Sequence, residues 1–80
     1  MLERRLQPRV SVSKAGKITL DSGTNIECVI VNRSNDGVCI EVDSPNRIPE
    51  SFLLTIGADG IDRACRVLWR LGKRLGLKWL

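Results

Sequence analysis

The sequence predicts an all-β domain: six short antiparallel strands closing into a small barrel behind a flexible, basic N-terminal arm. Three observations lead there. Turn-forming clusters recur at short intervals, at Asp21-Ser22-Gly23, Ser34-Asn35-Asp36-Gly37, Pro45-Asn46, Ala58-Asp59-Gly60 and Gly72-Lys73. The runs between them are β-branched or alternate apolar with polar, and none has helical periodicity. The chain has 80 residues, enough for one domain, and at that size closure into a barrel removes the exposed edges that an open sandwich would leave.

Taken in order, residues 1–9 are polar and basic and end in Pro8-Arg9. Proline biases Gln7 away from helix, so the segment reads as an extended arm. A helix over 2–6 is too short to stand alone. Residues 10–20 alternate weakly and stop at Asp21. Residues 25–33 are rich in Ile and Val and read as a strand. Residues 38–43 alternate strictly, with Val38, Ile40 and Val42 against Cys39, Glu41 and Asp43. Residues 44–51, with Pro45, Asn46 and Pro49, form a loop, and a turn of helix somewhere in 47–56 is left open. Strands follow at 52–56, 61–70 and 74–80, the last two joined by a tight hairpin at Gly72-Lys73. A single domain is expected over 1–80, with the arm at 1–9, the barrel at 10–80 and no helix appended after Leu80.

Composition narrows the function classes. Hydrophobic residues make up 42% and charged residues 28%, the balance of a soluble globular domain rather than a disordered one. The net charge of +4 favours an anionic partner. Nine of the thirteen cations are arginines, whose planar fork pairs with phosphate and guanine where lysine offers a point charge. Any single arginine also reads as an ordinary solvated charge. The three cysteines, Cys28, Cys39 and Cys65, sit in apolar strand runs with no CxxC and no histidine nearby, so they read as small buried hydrophobes and no metal site is expected. An odd cysteine count without a pairing pattern suits a reducing compartment, and a cytoplasmic location is expected. The sequence contains no signal-peptide pattern and no apolar run long enough to span a membrane. With no histidine and no nucleophile–base pair, no enzyme is expected, and no cofactor.

The Asn35-Asp36 turn has a consequence for faces. A two-residue loop there puts Ser34 opposite Gly37, Arg33 opposite Val38, Asn32 opposite Cys39 and Val31 opposite Ile40. Side chains alternate along a strand. Val29, Val31, Val38, Ile40 and Val42 then form the core face. Asn32 and Ser34 point together from the outer wall, with Cys28, Ile30 and Cys39 beside them. A bulge would shift this register. Asn32 and Ser34 also read as plain turn residues, but an apolar shelf with convergent polar groups is what a ligand needs.

These residues carry a pattern. Arg5-Leu6-Gln7-Pro8-Arg9 is an RxxxR motif, and Asn32-Arg33-Ser34-Asn35-Asp36-Gly37 matches [D/N]xSxxG. With the ending Arg66-Val67-Leu68-Trp69-Arg70 and Leu75-Gly76-Leu77-Lys78-Trp79, the sequence resembles the PilZ domain family of bacterial cyclic di-GMP receptors over nearly its whole length. The resemblance implies a six-stranded antiparallel barrel of Greek-key or split type. It implies that Arg5 and Arg9 meet the ligand's phosphates and guanine edges, that Asn32 and Ser34 meet a guanine, and that Gly37 permits the close turn beside them. Arg4, which makes the arm RRxxxR, is associated in the family with an intercalated dimer of the ligand. The expected mechanism is an arm, mobile when free, that closes over a nucleotide on the barrel wall and makes a new surface for an unidentified protein partner. Asparagine at 32, where aspartate is commoner, keeps the carbonyl acceptor without the charge. Arg33 is read as a rim charge. Arg70 either holds ligand or arm, or lays its stem over Trp69.

Two alternatives stand beside this. Arg66, Arg70, Lys73, Arg74 and Lys78 form a basic strip without an acid, which suits a small barrel that binds nucleic acid. That reading also needs exposed aromatics, whereas Phe52, Trp69 and Trp79 all fall on apolar patterns and are expected in the core. The other is an adaptor of the same fold that binds protein only, which the intact motifs oppose.

Overall fold

The computed structural model describes residues 10–57, 60 and 62–80, with side chains from residue 14 onward. The strands are β1 (Val10–Thr19), β2 (Asn25–Arg33), β3 (Gly37–Glu41), β4 (Ser51–Ile56), β5 (Asp62–Leu71) and β6 (Arg74–Trp79), with one 3-10 turn at Pro45–Arg47. They close as an antiparallel barrel in the order β1-β2-β3-β6-β5-β4. Two three-stranded meanders, β1 to β3 and β4 to β6, are thus joined twice, by β3 against β6 and by β1 against β4. The sequence predicts this architecture, and each strand falls within two residues of its expected bounds.

The six largest fully buried side chains are Ile18, Ile30, Ile40, Leu54, Leu75 and Cys65, with strands β1 to β6 each contributing one. Burial pushes the Cys28 thiol up to about 11 and the Cys65 thiol up to about 12, the latter with a smaller push from Cys28. Both stay protonated and pack as hydrophobes; the Cys65 thiol points at the Phe52 carbonyl oxygen, 3.6 Å away. No disulfide joins the three cysteines.

The expected faces are correct near the β2–β3 turn and wrong further down. Asn32 pairs with Cys39 and Arg33 with Val38, as a two-residue loop requires, and the Ser34 amide donates to the Gly37 carbonyl at 2.9 Å. The next pair is Ile30 with Ile40, not Val31 with Ile40. Val31 is therefore the extra residue of a β-bulge, and a one-residue slip exchanges inside for outside along the rest of the strand. Cys28 and Ile30 lie in the core, while Val29 is 45% exposed and Val31 half-buried. A second bulge does the same on β5. Val67 pairs with Leu77, then Trp69 with Gly76, leaving Leu68 unpaired. Trp69, expected in the core, is turned to the outer wall and is 46% exposed. Phe52 is buried as expected, and Trp79 is half-buried with Arg63 4.2 Å above its ring centre.

The segment from Val42 to Glu50 crosses one end of the barrel and seals it with Val42 and Ile48, both buried. Arg70 holds this plug. The second bulge places it opposite buried Leu75, and its guanidinium donates to the carbonyl oxygens of Pro45 and Ile48, both at 2.8 Å. Both readings of Arg70 offered by the sequence, ligand contact and cover for Trp69, give way to this structural one. Arg70→Ala is expected to destabilise the domain by about 1–2 kcal/mol, since hydrogen bonds to charged groups contribute more than neutral ones. Urea denaturation measures this, and limited proteolysis should show the new cut within residues 43–50. An unchanged midpoint and cleavage pattern would rule the clamp out.

Candidate ligand-binding site

Cross-strand partners share a face of the sheet. One outward row therefore runs Asn32–Cys39–Gly76–Trp69 across β2, β3, β6 and β5. A second row, nearer the rim, runs Gly37–Lys78–Arg66, with Ser34 closing its β2 end through the turn hydrogen bond to Gly37. The two rows bound a cleft of about 320 Å3 whose lining includes Asn32, Ser34, Asp36, Leu68, Trp69 and Lys78.

Each part of the cleft has a local cause. Gly76 has no side chain, and a β-carbon there would overlap the Trp69 indole at Cε2 and Nε1, so the ring lies flat across β6. A glycine inside a strand marks such a close approach. Leu68, the bulge residue, is 62% exposed beside it. Gly37 is required for a reason other than the expected turn. Its φ is not positive; a β-carbon there would overlap the Leu77 carbonyl oxygen of β6. The turn is also tied to β6 by the Trp79 amide, which donates to the Asp36 carbonyl at 3.2 Å.

Three polar side chains of the cleft are idle. Among the described residues, the side chains of Asn32, Ser34 and Lys78 have no hydrogen-bond or ion-pair partner. A larger groove of about 710 Å3 is lined by residues of β1, β2 and β4, but its two lysines, Lys14 and Lys17, share it with two acids, Glu27 and Asp43, and no aromatic ring is among its described lining residues. The smaller cleft combines a stacking surface, amide and hydroxyl groups and a cation, which is the chemistry of a nucleotide site.

A family model for the PilZ domain matches residues 3–80. The chain belongs to the PilZ domain family. PilZ domains are receptors for cyclic di-GMP, and the match covers essentially the whole chain, so the resemblance carried by the two motifs is correct at the family level. No match was found among curated proteins. No helix among the described residues is long and apolar enough to cross a membrane.

Within this PilZ domain, Asn32, Ser34 and Gly37 meet at one cleft. Arg33 does not line it; it is half-buried opposite buried Val38. Arg4, Arg5 and Arg9 lie outside the described residues. The sequence reading missed Trp69, Lys78 and Gly76. Gly76, set between Leu75 and Leu77 in a strand, carried the one available signal.

Proposed function

We propose that this PilZ domain is a cyclic di-GMP receptor whose N-terminal arm closes over a ligand seated in the Asn32–Trp69 cleft. The observation that carries this is the point of chain entry. β1 begins at Val10 opposite Arg33, and Ser11 lies opposite Asn32. Arg9 is thus one peptide bond from the rim at which Asn32 and Ser34 stand idle. In this reading Asn32 and Ser34 hold one guanine, and Asp36 offers a carboxylate acceptor beside them. Trp69 stacks the second base. The row from β2 to β5 spans three strand spacings, about 14 Å, and the indole reaches back over Gly76, which suits a ligand with two bases. Arg5 and Arg9 close on the phosphates and guanine edges, and Arg4 favours an intercalated dimer. The ordered arm then forms part of a surface for a protein partner. The chain acts without catalysis and without a cofactor, in the cytoplasm.

The exposure of Trp69 is what a nucleic-acid-binding barrel would also need. Against it, two of the five cations of the basic strip are committed within the fold: Arg70 clamps the plug and Arg74 pairs with Glu41 at 3.3 Å.

Calorimetry with cyclic di-GMP tests the reading. Micromolar or tighter binding is expected, with quenching of Trp69 fluorescence. Asn32→Ala should weaken binding about tenfold, the scale of one or two lost hydrogen bonds. A stoichiometry near two ligands per chain, lowered by Arg4→Leu, supports the dimeric ligand. No heat and no quenching at high ligand concentration would overturn the proposal.

A further inference from the structure

The basic strip of β5 and β6 is not uniform. Arg63 lies over Trp79, Arg70 holds the plug, and Arg74 pairs with Glu41. Each has a partner within the fold. Lys78 and Arg66 have none among the described residues, and they are cross-strand neighbours on the outer face. Lys78 also lies opposite Gly37 and lines the same cleft as Ser34. Lys73 is likewise idle, but it sits in the hairpin at the opposite end of β6, whereas Arg66, which does not itself line the cleft, is the cross-strand neighbour of the cleft residue Lys78.

We infer that Lys78, seconded by Arg66, is a phosphate anchor built into the barrel wall, acting separately from the arm. This inference rests on the proposed binding of cyclic di-GMP. The row that holds Lys78 is two residues nearer the rim than the row that holds Asn32 and Trp69. With both bases on the lower row, the ring phosphates of the ligand lie toward Lys78. An ammonium has no fork to read a guanine edge, so its contribution is to phosphate charge and not to base identity. It follows that the barrel holds the ligand's phosphates from below while the arm arginines approach from the rim.

The test is the affinity for cyclic di-GMP of wild type, Lys78→Met, Lys78→Arg and Lys73→Met, at low and at high salt. Lys73→Met removes the same charge from the same strip and controls for net charge. Lys78→Met is expected to bind about tenfold more weakly at low salt, the scale of a charge-assisted contact. The deficit should shrink as salt screens the contact. Lys78→Arg should bind within about twofold of wild type, and so should Lys73→Met. Arg66→Met should lose less than Lys78→Met. If wild type binds and Lys78→Met binds equally well, the anchor is overturned while the receptor reading survives. Equal losses in Lys78→Met and Lys73→Met also overturn it, because they reduce the effect to net charge. If wild type does not bind, both readings fall together.

Discussion

Gly37→Ala is expected to lower the stability of the barrel by about 3 kcal/mol, the upper range for forcing extra volume into a packed site. The reason is the identity of the atom in the way. The added methyl would overlap the Leu77 carbonyl oxygen, which is backbone within the β3–β6 seam. A side chain can rotate away, but a strand carbonyl moves only with its strand. β3 against β6 is one of the two seams that close the barrel, so parting them opens the cylinder. For a domain of this size the melting temperature should fall by more than about 10 °C. Differential scanning fluorimetry measures it directly, and a shift of only a few degrees would show that the seam gives way easily. Gly76 offers the contrast. Its obstacle is the half-exposed Trp69 indole, which has open solvent to swing into.

The second large effect falls on the ligand. Arg9→Ala is expected to weaken cyclic di-GMP binding at least a hundredfold, roughly the loss of two charge-assisted contacts at about 1.5–3 kcal/mol each. Arginine can engage a phosphate through two parallel hydrogen bonds. Arg9 is the arm residue nearest the site along the chain, because it directly precedes Val10, which pairs with Arg33. A connection that short leaves little chain entropy to be lost when the contact forms. Arg5, four residues further out, should matter less or equally, but not more. Calorimetry on Arg9→Ala and Arg5→Ala settles the order, with circular dichroism to show that the barrel remains folded. Retention of wild-type affinity by Arg9→Ala would remove the arm from the binding mechanism. Such a result would leave the cleft and Lys78 as the whole site.

The fold class was legible because turn residues and β-branched runs report directly on local backbone preference. Asp21-Ser22-Gly23 and Gly72-Lys73 sit between strands where the turn chemistry requires, and Gly72 adopts a φ of 59°. The pairing of Asn32 with Cys39 was legible for the same reason, since a two-residue loop fixes its first few partners. The motif residues Asn32, Ser34 and Gly37 could be named and placed on one outer surface from the sequence.

What the sequence by itself determined, then, was the barrel, its strands and the Asn32–Gly37 hairpin. Only the tertiary structure decided which way the side chains face beyond the bulges at Val31 and Leu68. The physical reason is that the alternatives have nearly equal hydrophobicity. Cys28-Val29-Ile30-Val31 is apolar on both faces, and so is Val67-Leu68-Trp69, so alternation cannot reveal a one-residue slip. The slip is chosen by how the closed barrel fills. Ile30 inside meets Ile40, and Trp69 outside finds a bare strand at Gly76. The same closure sorted the cations. Arg70 and Lys78 are alike as charges in the sequence, yet the fold commits one to its own backbone carbonyls and leaves the other, among the described residues, without a partner in the cleft.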